Sequence, residues 1–116
     1  MDVSVEQQRA IAPSASSVKV WFDRAELNRI LLVYGRMVAA GEWRDYAIGG
    51  EKDVAIFAVF RRAAEHPIYR IEKRPALSRK QGAYSVIAAQ GQVLKRGHDL
   101  EQVLRVFDRL LMRLVD

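Results

Sequence analysis

The segment Val54-Ala55-Ile56-Phe57-Ala58-Val59-Phe60 is apolar at seven consecutive positions, so neither parity offers a polar face. A strand sends alternate side chains to opposite faces of its sheet, and a half-exposed strand alternates accordingly. This run therefore predicts a strand with both faces covered. Leaving Ile56 and Phe60, or Phe57 and Val59, in water would forgo about 1.5–3 kcal/mol per large side chain. The candidates for the second cover are an N-terminal arm, one helix on each face, or another copy of the chain. At seven residues the run is about a third of a membrane-spanning helix.

Two amphipathic helices bracket this strand region. Asp23 and Glu26 are spaced as a capping box, and Phe22 and Leu27 stand at the positions of a hydrophobic staple. Leu27, Ile30, Leu31, Tyr34 and Val38 then form one apolar stripe, and Gly41 supplies the left-handed residue that ends the helix. Near the C-terminus Asp99 caps a second helix, with Gln102 at the box position. Leu100, Val103, Leu104, Phe107, Leu110, Leu111 and Leu114 carry its period over four turns. Between the helices lie strand signals at Tyr46–Ile48, Val54–Arg61, Ile68–Lys73, Ala83–Ala88 and Gln92–Lys95. The connections Gly49–Asp53 and Ala89–Gly91 suit hairpins. Val18, Val20 and Phe22 alternate with Lys19 and Trp21, which adds a strand ahead of the first helix. Residues 1–17 read as a flexible arm and residues 18–116 as a single domain. The expected fold is α+β, a mainly antiparallel sheet of four to six strands with two helices in the order β-α-β-β-β-β-β-α.

Cysteine is absent, which excludes disulfides, thiolate catalysis, iron–sulfur clusters and cysteine-bound zinc; two histidines are too few for a histidine metal cluster within one subunit. No cofactor or metal is expected, no secretory segment is seen at Val3–Ile11, and the expected location is the cytoplasm. The charge is unevenly placed. Residues 61–80 hold seven basic and two acidic residues, so the whole net charge of +5 resides there. A clustered excess creates a directed field towards anions.

Catalytic patterns do not assemble. Ser16-Ser17-Val18-Lys19 has the Ser-x-x-Lys spacing of some acyl-transfer enzymes, but it spans an arm and a strand rather than one helical turn. His66 precedes Pro67 in a loop. His98 adjoins the cap Asp99 without a nucleophile placed by any motif. A small enzyme using His66 or His98 with Glu42 or Asp45 would require a cleft where those groups converge. The basic stretch is the better candidate. Lys73, Arg74, Arg79 and Lys80 crowd a loop bounded by Pro75 and Gly82, and Arg70 points outward from the adjoining strand if Tyr69 and Ile71 face the core. Lys95 and Arg96 extend the patch if the two loops share one end of the sheet, and Tyr84 is placed to stack on a base.

A basic α–β–β–β–α order invites comparison with double-stranded-RNA-binding domains. These aim a lysine-rich helix N-terminus at phosphates, whereas the second helix here begins Asp99-Leu100-Glu101 and would repel them. A closer resemblance rests on Tyr34–Tyr46, Tyr69–Pro75, Arg79–Tyr84 and Leu94–Leu100. Over about Val18–Leu114 the chain resembles a family of small alphaproteobacterial proteins known only as a domain of unknown function. The resemblance implies a cytoplasmic bacterial protein and carries no substrate or catalytic residue. The first reading is a non-catalytic binding module whose basic loop contacts an anionic partner, nucleic acid above all. The alternative is a homodimeric interaction module that uses the apolar second face of its sheet.

Overall fold

The computed structural model describes residues 19–62 and 66–115, and the arm expected at residues 1–17 lies outside them. Two helices, α1 (Arg24–Ala39) and α2 (Leu100–Val115), enclose in sequence the strands β1 (Asp45–Gly50), β2 (Ala55–Phe60), β3 (Tyr69–Lys73), β4 (Tyr84–Ala88) and β5 (Val93–Gly97). All neighbouring strands pair antiparallel, in the spatial order β1-β2-β3-β4-β5. This is the α+β architecture that the patterning predicts, with a five-stranded meander.

The leading strand of the expected order does not form among the described residues. Lys19–Asp23 joins no ladder; its backbone is tied by the Val20 N–H, which donates to the Glu51 carbonyl at 2.7 Å, and by the Trp21 carbonyl, which accepts from Lys73 Nζ of β3 at 3.0 Å. Val20 and Trp21 cross over Gly50, where a Cβ would overlap the Trp21 ring, so the segment passes across the end of β1 instead of running beside it. β1 also reaches further than its apolar letters suggest. It continues through Gly49 and Gly50, and Glu51 N–H closes the hairpin on the Val54 carbonyl at 2.9 Å.

Both helices lie on the same face of the sheet. Phe57, Val59, Ile71 and Val86 form one buried cluster with Ile30, Val33 and Met37 of α1 and with Leu100, Val103, Leu104 and Phe107 of α2. Of the three candidate covers for the second face, one helix on each face is therefore excluded. The helices run side by side in one direction, because Arg29 pairs with Glu101 at 2.9 Å and Arg36 with Asp108 at 3.0 Å, seven residues further along each. Trp43 is 3% exposed and meets Phe107 edge-on at 4.9 Å, pinning the corner between α1 and β1. α1 is rotated from the stripe expected of it: Ile30, Val33 and Met37 are buried, while Leu31 and Val38 reach solvent.

On the opposite face, which neither helix covers, the register aligns two rows. Ala47, Ala58, Arg70, Ile87 and Val93 form one, and Gly49, Ile56, Glu72, Ser85 and Arg96 the other. The second parity of the apolar run thus belongs to a face with a polar centre, whose residues Ala58, Glu72, Ser85 and Ile87 are buried although neither helix covers them.

Candidate anion-binding end of the sheet

Strand alternation divides the predicted basic residues between the two faces. Lys73 continues the parity of Tyr69 and Ile71 and turns towards the helices, where it lies opposite Tyr84. Both end on Glu26 of α1, a carboxylate only 8% exposed. Glu26 Oε1 accepts from Lys73 Nζ at 2.8 Å and from the Asp23 N–H at 2.8 Å, while Oε2 accepts from Tyr84 Oη. Lys73 Nζ also donates to the Trp21 carbonyl at 3.0 Å. Burial raises the Tyr84 phenol well above its ordinary value, reinforced by its bond to Glu26 and by that carboxylate's charge. With their polar groups so engaged, Lys73 and Tyr84 serve the junction between α1 and the sheet. Sequence spacing marked Glu26 only as a helix cap, although the shared parity of Lys73 and Ile71 already carried the signal for an inward lysine.

Arg70 and Arg74 belong to the helix-free face. Glu72, 4% exposed, lies between them: Oε2 accepts from Arg70 Nε at 3.1 Å and Oε1 from Arg74 Nε at 3.2 Å. Two guanidinium groups thus share one carboxylate. The next positions in that row are Ser85 and Arg96, and Ser85 Oγ and Arg96 Nη1 are both buried without a hydrogen-bond partner. A buried donor without an acceptor costs about 1–3 kcal/mol, so such a pair marks a place where an acceptor would be favoured.

The loop after β3 begins with the 3-10 turn Pro75–Leu77 and carries Arg79 and Lys80, both exposed and without an ion pair among the described residues. It returns at Gly82, whose φ of 104° is a left-handed conformation that favours glycine and whose Cβ would overlap the Gly97 backbone. That contact sets the loop against the end of β5, so Arg79, Lys80 and Arg96 occupy one end of the sheet together with Arg74. Exposed Lys95 adjoins them on the edge strand, at the opposite parity to Arg96.

Elsewhere the polar groups are dispersed. His66 and His98 are exposed on separate loops; His98, with Asp23, Glu26, Tyr84 and Asp99, lines an open groove of about 330 Å³, away from Glu42 and Asp45. A second groove of about 390 Å³ runs between the helices, and the Arg29–Glu101 and Arg36–Asp108 pairs line it. Among the described residues no three of His, Asp and Glu converge as a metal site, and no helix is long and apolar enough to cross a membrane.

A family model described as "Protein of unknown function (DUF2794)" matches residues 20–104, most of the chain and all five strands. The chain belongs to the DUF2794 family. The match begins at the segment that crosses Gly50 and ends within the first turns of α2, so every candidate cation of this DUF2794 protein lies inside it. No curated protein and no solved structure matches the chain.

Proposed function

We propose that this DUF2794 protein is a non-catalytic, cytoplasmic binding module that holds nucleic acid at the basic end of its sheet. The orphaned pair Ser85 Oγ and Arg96 Nη1 carries the reading. Both atoms are buried donors without an acceptor, and Arg96, only half-buried as a residue, can swing its guanidinium outward to meet a phosphate oxygen. Glu72 is already divided between Arg70 and Arg74, and the exposed Arg79 and Lys80 extend the positive field outward. Lys73 and Tyr84 are not part of this surface, since Glu26 engages both.

Self-association through the helix-free face has less support. Ile56 and Phe60 are half-buried there and Val93 is 46% exposed, but Arg70 and Glu72 occupy the middle strand between them. Docking that face on a copy of itself would desolvate two such charge clusters, a cost that often exceeds the Coulombic gain.

The test is fluorescence anisotropy of a labelled oligonucleotide across a salt series. Expected is binding that weakens steeply with salt, because neutralised phosphates release counterions. Charge reversal at Arg79, Lys80 and Arg96 should abolish it with the fold intact by circular dichroism. Salt-independent binding, or none at low salt, would overturn the proposal.

A further inference from the structure

The helix-free face is buried along a central band and open at its borders. Ala58, Glu72, Ser85 and Ile87, on β2, β3 and β4, are at most 9% exposed, whereas Ala47 on β1 is exposed and Val93 on β5 is 46% exposed. Both helices pack on the other face. The arginines of the band do not close it either. Arg70 stands between Ala58 and Ile87 in its row but extends along β3 to Glu72 Oε2, and Arg74 reaches Oε1 of the same carboxylate. Ala58 and Ile87 lie on the two flanking strands, and among the described residues no further helix or strand packs over them. These exposures are those of one chain alone, so a second copy is not their source.

The cover must then come from chain outside the described residues. Residues 63–65 only bridge Arg62 and His66, and an extended residue spans just about 3.5 Å. Residues 1–18 have the length: extended, they would reach roughly 60 Å, while five strands span about 19 Å from edge to edge. They also end in the right place. The Val20 N–H meets the Glu51 carbonyl at the β1–β2 hairpin, and the Trp21 carbonyl meets Lys73 Nζ, which fixes the segment at the end of the sheet marked by Ala55, Lys73 and Tyr84. The row Ile56, Glu72, Ser85 begins one residue further in. The segment has apolar side chains to offer: Val3 and Val5 alternate with Asp2, Ser4 and Glu6, and Ala10, Ile11 and Ala12 follow.

We infer that residues 1–18 fold back over the helix-free face and lie across β2, β3 and β4, setting Val3, Val5 and Ile11 against Ala58, Ile87 and the half-buried Ile56 and Phe60. The chain thereby closes its own second face. This accounts for a central strand, Ala55–Phe60, that is apolar at both parities without a helix on each side.

The chain contains no cysteine, so each introduced thiol is unique. Ala47 and Ala58 are neighbours in one row and differ in cover. In the full-length protein Ala58→Cys should react with a bulky maleimide at least roughly tenfold more slowly than Ala47→Cys. Replacing Val3, Val5 and Ile11 together by aspartate should raise the Ala58→Cys rate by roughly tenfold or more, while Val103→Cys, between α2 and the sheet, stays protected. A spin label on Gln8→Cys, which needs no change to the apolar residues, should broaden the amide signals of Ala58 and Ile87 more than those of Leu32 and Met112 on the outer side of the helices. Equal reactivity at positions 47 and 58, protection that survives the three aspartates, or broadening centred on the helices or spread evenly would overturn the inference. No oligonucleotide is present in these measurements, so their outcome is independent of what the basic end binds.

Discussion

Glu72 and Glu26 organise the charges at residue scale, and each makes a distinct prediction. Glu72 is the acidic residue that restrains the guanidinium groups of Arg70 and Arg74. Glu72→Gln should cost about 2 kcal/mol in urea unfolding, because charge-assisted bonds are lost. The same change should tighten oligonucleotide binding at low salt, since it removes a negative charge from the binding end. A purely structural role would give the first effect without the second. Tyr84 predicts a dependence on alkali. Its folded-state value is raised above the ordinary phenol value of 10.0, mainly by burial and then by Glu26. The stability it contributes is fully present below pH 10.0 and is lost progressively at higher pH, because the unfolded chain gives up the proton first. Urea unfolding followed across alkaline pH should show that decline, and Tyr84→Phe should reduce it while costing about 1–2 kcal/mol at neutral pH. An unchanged alkaline slope in the phenylalanine variant would contradict this role.

At the scale of elements, the ends of α1 and the loop beside β5 are set by local chemistry. The capping box places Glu26 N–H on Asp23 Oδ1 and Asp23 N–H on Glu26 Oε1, both at 2.8 Å. Asp23→Ala should lower the thermal midpoint by an amount equivalent to about 1 kcal/mol. Gly82→Ala should be more damaging, since it combines a left-handed conformation with overlap on Gly97. It should disturb the loop carrying Arg79 and Lys80, reducing anion binding along with stability. The capping box, both helices and the five strands were legible because each rests on local patterning. The face of α1 was not. Leu27, Ile30, Leu31, Leu32, Val33, Tyr34, Met37 and Val38 support more than one stripe, and α2 together with the sheet selected Ile30, Val33 and Met37. The leading strand was not legible either, because its alternation is genuine but Val20 and Trp21 cross Gly50.

In the whole molecule, two helices on one face leave a second face with a buried polar centre, and the meander brings the loop after β3 against the end of β5. Sequence alone located the basic stretch within residues 61–80. It could not show which cations would be neutralised, since Glu26 lies 47 residues from Lys73 and Glu72 alternates onto the face of its neighbours. The orphaned Arg96 and Ser85 emerge only from the register of β4 with β5. The measurement that addresses the basic end most directly is an NMR titration of the isotopically labelled protein with a short oligonucleotide. Arginine side-chain N–H and backbone amide signals would be followed together. The predicted result is salt-sensitive shifts at Ser85, Arg96, Arg79 and Lys80, with Lys73 and Tyr84 unmoved. Shifts confined to the groove between the helices, or none at low salt, would contradict the account.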